Sequence, residues 1–252
     1  MKSKLSNYLY KIIKFFVRVF YPVISVKGTE NLPEEACIIV SNHAKMNGPI
    51  ACELYFPGEH YTWTAGEMMH MKEVPDYSYK DFWSSKPRYS RWFYRLLSYM
   101  IAPFSACIFN NANCIGVYHD MRILSTFRET VDKLKNGANV IIFPEHDVPY
   151  NNIVWEFQDR FIDVAKMYYK KTGREPLFVP MYVAPKMKTL YIGEAVRFDH
   201  TADPKEERRR ICRAMMDGVT GLATGLPEHT VVPYPNMSRN EYPKSTEVLN
   251  AC

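Results

Sequence analysis

Apolar positions along the chain repeat first with a helical period. Residues 5–20, LSNYLYKIIKFFVRVF, set Asn7, Lys11, Lys14 and Arg18 at steps of four, three and four, which puts all four on one helical face. Leu, Ile, Phe, Tyr and Val fill the rest of the turn. Beyond residue 22 the period shifts to an alternation of strands and helices. VISVK (23–27) and CIIVS (37–41) predict strands on either side of the turn-rich GTENLPEE. Residues 49–56 and 91–102 predict helices, with HYTWTA (60–65) as a strand between them and CIGVY (114–118) as a short strand after them. Met121, Leu124, Phe127, Val131 and Leu134 give residues 120–135 a helical period, and Asn136-Gly137 ends it. NVIIF (139–143) and LFVPMYV (177–183) read as buried strands, with a helix over 155–171 between them, and TLYIG (189–193) is expected to close the sheet. Asp203-Pro204 then opens a helix with a capping residue and a proline at its first position.

Strands alternating with helices predict an α/β domain over residues 22–226, its sheet mixed, mostly parallel and flanked by helices. Residues 1–21 form a separate amphipathic segment ahead of it. Residues 227–252, with Pro227, Pro233, Pro235 and Pro243 and no apolar period, read as an extended tail.

Charge changes the picture at the N-terminal segment. A spanning helix needs roughly 20 mostly apolar residues, and Lys11, Lys14 and Arg18 interrupt this one. The same charges break any signal-peptide core, and no small-residue cleavage site comes after it. Two arrangements remain: a basic helix lying in a membrane interface, or a terminal helix packed on its own domain. Residues 75–106 are dense in aromatics and carry Lys80, Lys86, Arg88, Arg91 and Arg95. They read equally as a second membrane-facing lip or as a packing insert. The net charge of +5 suits an anionic surface, and it is too small and dispersed to indicate nucleic acid. No cysteine pair has C-x-x-C spacing, so the six cysteines read as reduced, mostly buried thiols. His119-Asp120 and His146-Asp147 invite a metal-site reading, but no two-histidine helical spacing supports it, and no metal is expected.

Two strand ends carry candidate chemistry. In VSNHAKMNGP, Asn42-His43 comes directly after a buried strand, where ligands bind in α/β sheets. A histidine there titrates near neutrality and can act as a general base. In IIFPEHD, a second buried strand ends at Glu145, which can orient His43, hold an acceptor, or stabilise a turn.

Together these segments resemble the glycerolipid (lysophosphatidate-type) acyltransferase family. VISVKGTENLPEEACIIVSNH is similar to the entry into that family's first motif, in which Asn-His is followed after four residues by Asp. KLKNGANVIIFPE is similar to the approach to its Phe-Pro-Glu-Gly motif, and LFVPMYV to its last strand. The resemblance covers residues 22–200 in the correct order. It implies transfer of a fatty acyl group from acyl-CoA or acyl-carrier protein to a hydroxyl of a lysolipid, with no cofactor. His43 is then the base, Asn47 and Glu145 are its catalytic neighbours, and Asn42, Lys45, His119, Arg122, Phe143, Pro144 and His146 are substrate contacts. With the basic amphipathic helix at residues 5–20, the expected location is the cytoplasmic face of a membrane, peripheral or monotopic, with anionic lipids as a partner.

The chain departs from the pattern at three places. The Asp position falls on Gly48; CIGVYHDMR puts His119 near the family's phosphate-binding arginine, with Arg122 three residues on; and the family's Gly-Thr-Arg after Glu145 becomes His146-Asp147-Val148. Orientation of His43 is therefore expected from Asn47, or from Glu145, Asp120 or Asp147 on another loop. The alternative is a catalytically silent lipid- or acyl-thioester-binding protein.

Overall fold

The computed structural model describes residues 4–84 and 86–246. Residues 1–3, Ser85 and residues 247–252, which include the ends of the expected N-terminal helix and C-terminal tail, lie outside the described residues. In chain order the first elements are α1 (Lys4–Phe20), β1 (Ser25–Lys27), β2 (Ile38–Ser41), α2 (Asn47–Tyr55), β3 (His60–Ala65) and α3 (Val74–Ser78). Next come α4 (Arg91–Asn111), β4 (Cys114–Val117), α5 (Ile123–Lys135), β5 (Asn139–Ile142), β6 (Glu145–Pro149) and β7 (Trp155–Phe157). The last are α6 (Asp163–Thr172), β8 (Leu177–Ala184), β9 (Thr189–Ile192), β10 (Val196–Arg197) and α7 (Pro204–Thr224).

The chain divides into two compact units, Met1–Tyr21 with Thr62–Thr126, and Pro22–Tyr61 with Phe127–Cys252. The single domain expected over residues 22–226 is thus interrupted: the chain leaves the larger unit after Tyr61 and returns at Phe127.

In the larger unit the strands run in the order β1-β9-β8-β2-β5. β1 is parallel to β9, β8 to β2 and β2 to β5, while β9 and β10 both run antiparallel to β8. The sheet is mixed and mostly parallel, as the alternation of elements predicts. β9 does not close it, because β1 lies outside β9. The continuous apolar runs of β2 and β8 have every residue buried, as expected of strands covered on both faces. α7 covers β8, and Gly218 permits the close approach: a Cβ there would fall 2.7 Å from Pro180 Cγ. Asp203 caps α7 by accepting from the N–H groups of Lys205 (2.9 Å) and Glu206 (3.1 Å).

Two expectations fail here. The helix expected over 155–171 begins only at Asp163, because residues 145–157 form the antiparallel β6–β7 hairpin. The C-terminal segment does not trail away. Val231 donates to Pro243 O (2.9 Å) and Ser245 to His229 O (3.0 Å), so residues 229–231 and 243–245 pair as a short antiparallel ladder. Val231, His229 and Ser245 are buried in it. A polar, proline-bearing sequence hides this, since its order comes from long-range contacts rather than from any period.

In the smaller unit β3 runs parallel to β4. α4 continues through Pro103 to Asn111, beyond its expected end at residue 102. Its far half is fastened from outside: Ser105 Oγ donates to Met68 O (2.9 Å) and Asn110 Nδ2 to Met69 O (2.6 Å). α1 rests on α4 through Ser6, whose Oγ accepts from Asn111 Nδ2 at 2.7 Å. The half-buried positions of α1 are Ser6, Tyr10, Ile13, Lys14 and Val17, a stripe beside the polar face. Its apolar residues Leu5, Tyr8, Phe15, Phe16, Val19 and Phe20 are exposed, as are Trp92, Phe93, Leu96, Tyr99, Met100 and Phe104 of α4. Among the described residues, Arg88–Asn111 is long and apolar enough to cross a bilayer by length and composition.

Candidate functional site

β2 ends inside the larger unit, and the chain turns sharply as it leaves the strand. Ser41 Oγ donates to Met181 O (2.7 Å). Asn42 is buried, and its carboxamide bonds the backbone of β8 twice: Nδ2 donates to Val183 O (3.1 Å) and Oδ1 accepts from Val183 N–H (2.7 Å). With both amide atoms on Val183, Asn42 anchors the turn to β8. Ala44 (φ 46°) and Lys45 (φ 58°) then adopt left-handed backbone, and α2 starts at Asn47. Left-handed backbone costs a non-glycine residue roughly 1–2 kcal/mol, and two in succession mark a conformation held by its surroundings.

That turn brings the carbonyl of Lys45 onto the ring of His43, where it meets Nδ1. A carbonyl only accepts, so Nδ1 carries the proton and Nε2 carries the lone pair. His43 Nε2 has no hydrogen-bond partner among the described residues. The Phe143 ring lies 5.2 Å from the imidazole, tilted by 59°, and the Tyr234 ring lies edge-on at 6.0 Å. Burial lowers the His43 pKa below its ordinary 6.5, against the opposing hydrogen bond to Lys45. The imidazole is therefore neutral at pH 7 with its Nε2 lone pair unengaged by any described residue, the state a general base requires.

The other expected residues take distinct positions. Glu145 is buried where β6 begins, and it does not touch the ring. Its Oε2 accepts from His43 N–H at 2.5 Å and its Oε1 from Trp155 N–H at 2.9 Å, so it ties the turn to β7 through backbone. Burial pushes its pKa up to about 7, against the pull of those two N–H groups. Asn47 Nδ2 donates to Ala44 O (2.8 Å), which braces the left-handed turn. Lys45 Nζ donates to Tyr242 Oη at 2.8 Å and lies 5.1 Å from the centre of that ring. Pro144 O accepts from Gln158 N–H (2.9 Å), and His146 turns toward Glu156 (3.9 Å), outside this cluster.

Gly48 explains the missing aspartate. A Cβ at this position would lie 2.7 Å from the carbonyl oxygen of His43 and 2.7 Å from Phe143 Cε1. The space of an aspartate is occupied, and the Lys45 carbonyl does the orienting instead. Sequence reasoning passes over Lys45 O, Tyr234 and Tyr242, because a backbone carbonyl leaves no mark in a sequence and the two tyrosines stand in a segment without period.

His119 and Arg122 belong to the smaller unit. His119 is exposed. The Arg122 guanidinium is already engaged: Nε donates to Asp120 Oδ2 (2.9 Å), Nη1 to Glu73 (3.3 Å), and the group stacks 4.0 Å from the Tyr118 ring centre. These hydrogen bonds hold Asp120 below the usual carboxylate range.

No protein-family model and no curated protein matches the chain. Among solved structures the chain is similar to the crystal structure of the 1-acyl-sn-glycerophosphate (LPA) acyltransferase PlsC from Thermotoga maritima, at 23% identity over 88% of this chain and 83% of that one, with a TM-score of 0.46.

Proposed function

We propose that the protein transfers a fatty acyl group from an acyl-thioester, acyl-CoA or acyl-carrier protein, to a hydroxyl of a membrane lysolipid, with His43 as general base. The observation that carries this reading is the His43 ring, neutral, fixed in one tautomer by Lys45 O and open at Nε2. Nε2 takes the acceptor hydroxyl proton as the oxygen attacks the thioester carbonyl carbon. The tetrahedral intermediate collapses with cleavage of the C–S bond, and the thiolate leaves with the proton returned by His43. An ester and a free thiol result, and no covalent enzyme intermediate forms. The ordered motifs around His43 and Phe143-Pro144-Glu145, which resemble those of glycerolipid acyltransferases, support the same chemistry. A carbonyl orients the imidazole but brings no full negative charge to the imidazolium, so catalysis is expected to be slower than with a carboxylate partner.

The acceptor is a neutral or zwitterionic lysolipid. Arg122 is paired with Asp120 and Glu73, and residues 146–148 supply no arginine, so neither place where the resembling family carries a phosphate-binding arginine offers a free planar fork. The membrane reading rests on the exposed apolar residues of α1 and α4. Apolar patches of this extent on a folded surface mark contact sites. Its form is peripheral or monotopic, with the apolar residues of α1 and α4 in the interface.

The test is thioester consumption with a panel of lysolipids, wild type against His43→Ala. Loss of activity by about a hundredfold or more is expected for removal of a general base. Activity that survives the substitution excludes His43 as base. Acyl-thioester binding with no turnover in the wild type identifies a silent binding protein.

A further inference from the structure

We propose that the C-terminal segment, residues 227–246, is a positioning strap for His43, acting from Tyr242 through Lys45; the idea rests on the reading of His43 as base. The Lys45 carbonyl sits on Nδ1 only while Ala44 and Lys45 stay left-handed. That backbone is disfavoured for lysine, so something must hold it. One set of holds surrounds the turn backbone: the Asn47 amide and N–H on Ala44 O (2.8 and 3.2 Å), Gly48 N–H on His43 O (3.1 Å) and Glu145 on His43 N–H (2.5 Å). The other is the Lys45 side chain itself, whose ammonium donates to Tyr242 Oη (2.8 Å) over the face of the same ring (5.1 Å). Tyr242 thereby restrains the residue whose carbonyl sets the tautomer.

The strap is built to keep Tyr242 in place. His229 is buried, and its Nδ1 donates to Pro227 O (2.8 Å), which leaves Nε2 to accept from Tyr182 Oη (2.9 Å). Tyr182 precedes Val183, the residue to which Asn42 is anchored, so strap and catalytic turn are pinned to adjacent positions of β8. His229 N–H donates to the Oγ of buried Ser245 (3.2 Å), which closes the ladder between 229–231 and 243–245. The loop this ladder closes carries Tyr234 near its start, against the His43 ring, and Tyr242 at its end, on Lys45. A segment with no role at the site would not need two of its tyrosines on consecutive elements of the catalytic turn.

Tyr242→Phe removes one oxygen and keeps the ring, and Lys45→Met removes the same contact from the other side. The readouts are the His43 tautomer, by ¹⁵N NMR of the imidazole, and kcat with KM for donor and acceptor. The wild type is expected to show Nδ1–H alone. Each variant should show a mixture with Nε2–H and a kcat lower by about tenfold at unchanged KM, well short of the roughly ten-thousandfold that a wholly wrong tautomer costs serine proteases. The double variant should fall no further than Lys45→Met alone, since Tyr242→Phe takes away only the hydrogen bond and Lys45→Met takes away that bond and the ring contact together. Lys45→Asn, whose short side chain tolerates left-handed backbone, should recover the Nδ1–H form without Tyr242. A Tyr242→Phe protein with wild-type tautomer and kcat overturns the proposal. So does a loss that is additive in the double variant. A wild type without transferase activity whose tautomer still shifts in Tyr242→Phe sinks the catalytic reading and leaves the strap standing.

Discussion

Glu145 holds His43 by the backbone: its Oε2 accepts the His43 N–H at 2.5 Å while its Oε1 takes Trp155 N–H. The carboxylate is a clamp between β2's turn and β7, and burial raises its pKa from 4.5 to about 7. Between pH 4.5 and 7 the folded protein keeps a proton that the unfolded chain has released, so stability falls as pH rises through this window and levels off above it. At 1.36 kcal/mol per pKa unit, the fall amounts to roughly 3 kcal/mol. Urea unfolding at a series of pH values should show this slope in the wild type and a flatter one in Glu145→Gln. The glutamine should also be less stable throughout by about 1–3 kcal/mol, because its NH₂ faces an N–H and leaves a buried donor unpaired. Parallel slopes in the two proteins would remove Glu145 as the titrating group.

An aspartate at position 48, where the family this sequence resembles carries one, should not supply a relay. Gly48→Asp places a Cβ 2.7 Å from the His43 carbonyl, which is backbone and cannot swing aside, and as close to the Phe143 ring. Overpacking of this kind costs typically about 1–3 kcal/mol. Because the strain falls on the turn that carries His43, turnover should drop along with the urea midpoint. Gly48→Ala, with no carboxylate, should show most of the same loss. A gain in kcat for Gly48→Asp would mean that the turn opens and the carboxylate reaches Nδ1.

Much of this was legible in the chain. The central strands announce themselves as apolar runs, and Asn42-His43 and Glu145 stand where those runs end. What the residues do there was less legible. Asn42 and Asn47 look like active-site amides, and in the structure they bond the backbone of Val183 and of Ala44. Glu145 looks like a partner for the ring and binds backbone. Gly48 looks like a lost catalytic residue, whereas in the structure a Cβ there would meet the His43 carbonyl and the Phe143 ring. Each difference turns on which atom meets which across 95 to 141 residues of chain, or on a left-handed turn at Ala44-Lys45 that no glycine signals.

Arg122 offers a check on the acceptor. Its guanidinium is matched by Asp120 and Glu73 and lies against Tyr118. If this arrangement is structural, Arg122→Ala should leave the ranking of lysolipid acceptors unchanged, with lysophosphatidate no better than neutral or zwitterionic lysolipids in the wild type. A clear wild-type preference for lysophosphatidate that Arg122→Ala abolishes would show the arginine released to a phosphate, and would overturn the assignment of the acceptor.

Membrane affinity should divide between two helices rather than reside in α1 alone. α1 turns its mixed stripe to α4 and leaves its apolar residues out, with Phe20 83% exposed; on α4, Trp92 is 70% and Met100 61% exposed. Burying one such side chain is worth about 1.5–3 kcal/mol, so replacing it with a charge weakens partition by tenfold or more. Lys11 and Arg18 add on the order of 1 kcal/mol each near an anionic surface, and this share fades as salt shortens the screening length. Removal of residues 1–20 should therefore weaken co-sedimentation with anionic liposomes and take away most of its salt dependence without abolishing binding. Trp92→Glu with Leu96→Glu should weaken it at every salt concentration, and the two changes combined should leave the protein in the supernatant. Full binding after loss of α1, with no effect of the α4 substitutions, would place the membrane contact elsewhere or deny it.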